Sequence, residues 1–133
     1  MRKHFVLAAL VFLMVAGAAE ASTQAWVFGN NPAAAAYVPI ASRAFNPSGG
    51  PIGISRPGNG QYIVRFGGLA PFASNGLAPF PGNVQVTANG GGPGYCAIAS
   101  WGNAGPDVVI NIRCFNPAGV PTNMLYTVLY TFN

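Results

Sequence analysis

Beyond residue 21 the chain has no histidine, no lysine, no glutamate and a single aspartate, Asp107, and its only cationic side chains there are Arg43, Arg56, Arg65 and Arg113. These absences exclude more than they leave. Proton transfer at neutral pH is mostly carried by His, a tuned carboxylate, Lys or a low-pKa Cys, and a nucleophile needs a base beside it. Ser-His-Asp and Cys-His arrangements, paired-carboxylate glycosidase sites and His-rich zinc sites cannot be assembled from such residues. A hard-cation site has one carboxylate to draw on. What survives is Asp107 alone, a tyrosine, or the amine of Ser22 as an N-terminal nucleophile. A non-enzyme without metal or cofactor is expected. The sequence pI of 9.5 reflects few acids rather than many bases, and four dispersed arginines do not make the clustered basic face that a phosphate backbone requires. Nucleic acid is not an expected partner.

Long helices are also missing from the pattern. The chain holds 18 glycines and 12 prolines, nearly all after residue 21, and they interrupt every stretch in which a helix could propagate. Ala33 to Ala36 lies between Pro32 and Pro39 and is too short to hold a helix unaided. What is present is a series of short β-branched and aromatic runs divided by Gly, Pro and Asn. They predict strands over 25–29, 36–45, 51–55, 61–67, 83–88, 94–100, 107–115 and 124–132. Eight such strands indicate an all-β antiparallel sandwich, with a small β-barrel as the alternative.

At the N-terminus, Arg2, Lys3 and His4 precede an apolar run from Phe5 to Ala16, and Ala19-Glu20-Ala21 fits the small-x-small cleavage rule. Residues 1–21 therefore read as a secretory signal peptide, with a retained anchor helix as the alternative. The remainder, 22–133, is one domain, expected outside the cytoplasm in the periplasm or extracellular space. In that oxidising setting Cys96 and Cys114 have one possible pairing, a disulfide, worth about 3 kcal/mol for a loop of this length. Alternation supports it: Val108, Ile110, Ile112 and Cys114 share one strand face and Cys96 sits with Ile98, so both sulfurs point to the core.

The phrase Phe45-Asn46-Pro47-Ser48-Gly49 returns as Phe115-Asn116-Pro117-Ala118-Gly119. In register with it, Val38 matches Val108, Ile40 matches Ile110, Arg43 matches Arg113 and Pro51 matches Pro121, while 61–66 answers 125–130. Two homologous halves are expected, about 25–67 and 83–132, joined by 68–82. Ala44 stands where Cys114 stands, so the disulfide belongs to the second half. Each Asn-Pro-x-Gly has a turn chemistry, with Asn accepting a closing hydrogen bond, Pro fixing φ and Gly taking positive φ. Both are expected as hairpin corners, with Pro51 and Pro121 delaying the pairing of the strand that follows. Arg43 and Arg113 lie two residues before Phe45 and Phe115, where a guanidinium can cover a ring. Those pairs are either contact patches for an anionic or sugar ligand or corner-stabilising contacts.

A second repeat, Gly68-Leu69-Ala70-Pro71-Phe72 and Gly76-Leu77-Ala78-Pro79-Phe80, fills the connection between the halves. Its prolines forbid a regular central strand. Phe72 and Phe80 either cap the sandwich or form an exposed partner contact. Trp101, Trp26, Tyr37 and Tyr95 could stack on sugar rings or belong to the core. Tyr126, Val128, Tyr130 and Phe132 alternate toward an aromatic end as an outer-membrane strand does, but proline-interrupted strands are too short to cross a bilayer.

The run Gly60-Gln61-Tyr62-Ile63-Val64-Arg65-Phe66-x-Gly68-Leu69, then Gly82-Asn83-Val84-Gln85-Val86-Thr87-Ala88, Cys96, Trp101, Arg113-Cys114-Phe115-Asn116, Gly119 and Thr127-Val128-Leu129-Tyr130 resembles a group of uncharacterised secreted bacterial proteins. The resemblance implies a shared strand pattern and Cys pair and no activity. The doubled GLAPF connection and Thr122-Asn123-Met124-Leu125 depart from that pattern.

The expectation is thus a secreted, disulfide-stapled, non-catalytic binding module for a glycan or cell surface, without stable membrane insertion. Its candidate contacts are Phe72, Phe80, Trp101, Arg43 and Arg113. A self-assembling surface subunit that uses uncovered edge strands is the alternative, followed by an outer-membrane barrel. An inhibitor acting through its Pro-rich loops has no specific support.

Overall fold

The computed structural model describes residues 23–71 and 82–132. The expected signal peptide, Phe72 and Phe80 lie outside the described residues. Among the described residues nine strands form: β1 (Thr23–Gly29), β2 (Ala36–Tyr37), β3 (Ala44–Phe45), β4 (Ile52–Gly58), β5 (Gln61–Phe66), β6 (Asn83–Asn89), β7 (Tyr95–Ala104), β8 (Asp107–Phe115) and β9 (Leu125–Phe132). They make two antiparallel sheets, β3-β1-β9-β6 and β2-β4-β5-β8-β7, packed as a sandwich and not closed into a barrel. No helix among the described residues is long and apolar enough to cross a membrane.

Period-two alternation decides which side of each strand is buried. β8 contributes Val108, Ile110, Ile112 and Cys114 to the interior, β5 contributes Tyr62, Val64 and Phe66, and β9 contributes Tyr126, Val128, Tyr130 and Phe132. No polar or charged residue is fully buried among the described residues, and each large apolar side chain taken from water contributes about 1.5–3 kcal/mol. The aromatic alternation of β9 is therefore core packing between two sheets. Tyr130 meets Phe132 at 5.0 Å and Trp101 at 5.5 Å between ring centroids.

Cys96 and Cys114 are directly opposed on β7 and β8, with Cα atoms 4.0 Å apart and the disulfide formed. Cys114 is fully buried, and Cys96 packs against the core. The bridge thus ties the edge strand of the larger sheet to its neighbour.

Three expectations need correction. Residues 36–45 do not form one strand. The chain splits into β2 on one sheet and β3 on the other, with the 3-10 turn Ala41–Arg43 between them. Pro39 cannot donate to a ladder, and Val38 and Ile40, which would have faced the core, are 78% and 56% exposed. Second, β7 runs on to Ala104, carried past its expected end by an irregularity between Ile98 and Ser100. One extra residue there reverses the alternation, so Cys96, Ile98 and then Trp101 all pack inward.

Third, the two Asn-Pro-x-Gly turns are corners between sheets rather than plain hairpins, since β3 leads into β4 and β8 into β9. Locally they do close as their residues require. Gly49 N–H donates to Asn46 O at 3.0 Å and Gly119 N–H to Asn116 O at 2.9 Å, with φ of 74° and 78° at the glycines. The second turn also closes a bridge between Phe115 and Pro121. β4 begins only at Ile52 and β9 only at Leu125, after the prolines that delay pairing. The turn geometry repeats, but the strand before it does not: nine residues pair in β8, two in β3.

The hairpin from β4 to β5 turns through Asn59-Gly60 and is fastened to the second corner. Asn59 Nδ2 donates to Pro121 O at 2.7 Å, Gly60 N–H donates to Asn123 Oδ1 at 2.8 Å, and Cys114 N–H donates to Gly60 O at 2.7 Å. A Cβ on Gly60 would stand 2.4 Å from the backbone oxygen of Cys114, so glycine is needed there for space and for its φ of 66°.

Candidate functional site

The pairing order β5-β8-β7 sets the outer face of the larger sheet. Because Val108, Ile110, Ile112 and Cys114 point inward, Asp107, Val109, Asn111, Arg113 and Phe115 of β8 point outward. Gln61, Ile63 and Arg65 do the same on β5. Register then places Gln61 and Ala97 on either side of Arg113, and Ile63 and Ser100 on either side of Asn111. Asn111 Nδ2 donates to Ser100 Oγ at 3.0 Å.

Of these residues, Gln61, Ile63, Ser100, Asn111 and Arg113 line an open depression of about 470 Å³, together with Pro57 and Ala99. The irregularities in the flanking strands shape it. Pro57 lies where β4 loses register with β5, and Ala99 lies where β7 loses register with β8. The small side chain of Ala99 on β7 forms part of the lining of the depression. Beyond Arg113 on the same face, the Tyr95 and Phe115 rings stack at 5.3 Å with 27° between planes, and Tyr95 is 50% exposed. Gln61, Ser100, Asn111 and Arg113 thus bring hydrogen-bond donors and acceptors to a depression whose other lining residues include Pro57, Ile63 and Ala99, and the Tyr95–Phe115 ring pair lies beyond it on the same face.

The opposite end of the face carries the ion pair. Arg65 Nη1 donates to Asp107 Oδ2 at 2.8 Å, and Gly68 N–H donates to Asp107 Oδ1 at 2.9 Å. The Gly68 N–H and then the Arg65 side chain hold the Asp107 carboxyl below its ordinary range. Both carboxylate oxygens are engaged, which anchors the connection leaving β5. Leu69 and Ala70, the second and third residues of the first GLAPF unit, are buried just after it. The repeat thus enters the core at its start.

The other residues singled out in the sequence are placed elsewhere. Arg43 lies in the 3-10 turn with its guanidinium 5.1 Å from the Phe28 ring centre, not over Phe45. Trp101 turns inward against Tyr130. Trp26 sits on the outer face of the smaller sheet between Phe45 and Leu129. Tyr37 accepts a hydrogen bond from Asn31 N–H at 3.3 Å, and burial raises the pKa of its phenol. The structure brings Arg113 and Phe115 to one face, together with Tyr95, and does not gather Arg43 or Trp101 there. Gln61, Asn111 and Ser100 were not picked out by sequence reasoning; the only signal for them was the outward phase of β5 and β8.

Two other depressions are less equipped. One of about 220 Å³ lies between Gly90, Pro93 and Asn116, and the other lies along Tyr37, Val38 and Ser55 at the β2–β4 edge. Neither has a charged side chain among its described lining residues. Among the described residues no group of three or more His, Cys, Asp or Glu is placed to hold a metal ion. The chain matches no family model, no curated protein and no solved structure.

Proposed function

We propose that the protein is a secreted, non-catalytic binding module whose ligand face is the outer surface of the five-stranded sheet, and that the ligand is a glycan. The observation that carries this reading is the depression itself, lined by two amide side chains, a hydroxyl and an arginine, beside the Tyr95–Phe115 ring pair of which Tyr95 is exposed. Sugars present alternating hydroxyls and an apolar ring face, and the two halves of this surface match those two demands. Few charges on the remaining face suit a neutral, hydrated partner. The disulfide fits an oxidising compartment.

Glycan-array binding of the disulfide-intact protein, repeated with Tyr95→Ala and Asn111→Ala, tests the proposal. Selective signals that both substitutions weaken are expected, and an array silent for every glycan would remove the reading. A second reading, self-association, draws on β6, a seven-residue edge strand with no charge and no proline among Asn83–Asn89, features that ordinarily blunt an edge. Sedimentation that stays monomeric over a wide concentration range would eliminate it.

A further inference from the structure

The four arginines of the domain differ in how they are occupied. Arg43 covers Phe28, Arg56 Nη2 donates to Ala33 O at 3.0 Å, and Arg65 is paired with Asp107. Arg113 has no ion pair or side-chain hydrogen bond among the described residues, and it is the arginine that lines the depression. The one carboxylate within reach of a basic partner, Asp107, has both oxygens taken by Arg65 and Gly68. Nothing in the described structure neutralises Arg113.

Its surroundings specify what could. Arg113 stands on β8 between Ala97, which is too small to obstruct the guanidinium, and Gln61, whose carboxamide can accept or donate. Asn111 and Ser100 follow on the same face, and the Tyr95–Phe115 stack lies on the other side. A guanidinium presents a planar fork that matches a carboxylate with two parallel hydrogen bonds. One such cation, with neutral amides and a hydroxyl around it, suits a monoanion attached to a hydroxylated ring.

Resting on the glycan reading above, we infer that the depression recognises an acidic sugar. The carboxylate of a uronic acid residue sits on Arg113, its hydroxyls are met by Gln61, Asn111 and Ser100, and the apolar face of a neighbouring ring lies on Tyr95 and Phe115.

Calorimetric titration with hexamers of galacturonate and of mannuronate, each as the free acid and as the neutral methyl ester, tests this. At least one free acid binds, and its ester binds about tenfold more weakly. Arg113→Gln lowers affinity for the acid about tenfold and brings acid and ester level. Arg43→Gln, which removes the same unit of charge from the 3-10 turn outside the depression, changes affinity by less than about twofold. Equal losses in the two variants would mean that net charge alone attracts the polyanion, and would overturn the inference. So would binding of acid and ester with equal affinity, although if Tyr95→Ala abolished that binding the glycan reading would stand. Failure of every acid hexamer to bind also overturns it, and leaves the glycan reading to the array. Thermal unfolding, expected unchanged for Arg113→Gln and slightly lowered for Arg43→Gln, which gives up its contact with Phe28, separates lost binding from lost fold.

Discussion

Gly29 and Tyr126 face each other across the β1–β9 ladder, and the Tyr126 ring lies over the space a side chain on Gly29 would need: a Cβ there would come within 2.5 Å of Tyr126 Cζ. The ring also packs on Tyr62 at 4.7 Å, so it has little room to withdraw. Gly29→Ala should destabilise the fold by about 1–3 kcal/mol through overpacking. The hydroxyl at the end of the same ring is buried without a hydrogen-bond partner among the described residues. Tyr126→Phe removes that desolvated group and keeps the ring, so it is expected to be neutral or stabilising by about 1 kcal/mol. Denaturant midpoints of the two variants check both signs. A stabilised Gly29→Ala would contradict the packing described.

The Cys96–Cys114 bridge joins two strands that already pair along their length, so the loop it constrains is closed by the ladder in the native state. Its contribution comes from restricting the unfolded chain, about 3 kcal/mol for a loop of this size. Replacing both cysteines with alanine should lower the unfolding free energy by that order while leaving the β-sheet circular dichroism signal in place. Titration of the unreduced, denatured protein should find no free thiol.

Much of this architecture was legible because it is written in alternation. β5, β6, β8 and β9 follow period-two runs with an apolar side, and the disulfide follows from two cysteines in phase with that side. Where the reading failed, the decisive information was not local. Residues 36–45 carry β-branched residues at strand spacing, yet Pro39 breaks the ladder and the 3-10 turn moves the chain to the other sheet. Arg43 consequently meets Phe28 rather than Phe45. The corners read correctly as turns because Asn, Pro and Gly act over four residues, but which sheet each turn leads into depends on strand order. The candidate site was half visible for the same reason. Arg113 and Phe115 share a strand and a phase, whereas Gln61 and Ser100 reach Arg113 and Asn111 only through β5-β8-β7 pairing and the register shift near Ala99.

Stability should be nearly independent of pH across the neutral range, since beyond residue 21 the side chains with an ordinary pKa between about 5 and 9 are those of Cys96 and Cys114, which are joined in the disulfide and do not titrate. On the acid side, Asp107 is held below its ordinary value by Gly68 and Arg65. Its contribution is present above the unfolded value of 3.8 and is lost as pH falls through the folded one. On the alkaline side, burial raises the phenol pKa of Tyr62, Tyr126 and Tyr130. The native state holds those protons more tightly than the unfolded chain does. Their contribution is full below the unfolded value of 10.0 and declines as pH rises beyond it. Denaturant midpoints measured from acid to strong alkali should trace a plateau that falls at both ends, and a step near pH 6 or 7 would conflict with it.

The two corner asparagines do the same local work and should not cost the same to remove. Among the described residues Asn116 Oδ1 accepts only from the N–H groups of its own turn, Ala118 and Val120, each at 3.0 Å, and these are exposed bonds. Asn46 also donates through Nδ2 to Gly50 O at 3.1 Å and to Gly67 O at 2.9 Å, the latter in the segment that leaves β5. Ser48 Oγ converges on the same Gly67 oxygen at 2.7 Å, so the first corner is tied to the far end of the β4–β5 hairpin by partly buried bonds. Asn116→Ala therefore forfeits local turn bonds, about 1 kcal/mol, whereas Asn46→Ala leaves the Gly50 and Gly67 carbonyls short of a donor and should cost about 2–3 kcal/mol. Hydrogen exchange offers a sharper reading than the midpoint alone. Asn46→Ala should accelerate exchange at Gly67 N–H, which donates to Pro51 O at 2.8 Å, and Asn116→Ala should leave that amide protected. Equal effects of the two substitutions at Gly67 would show that the corners are not mechanically distinct.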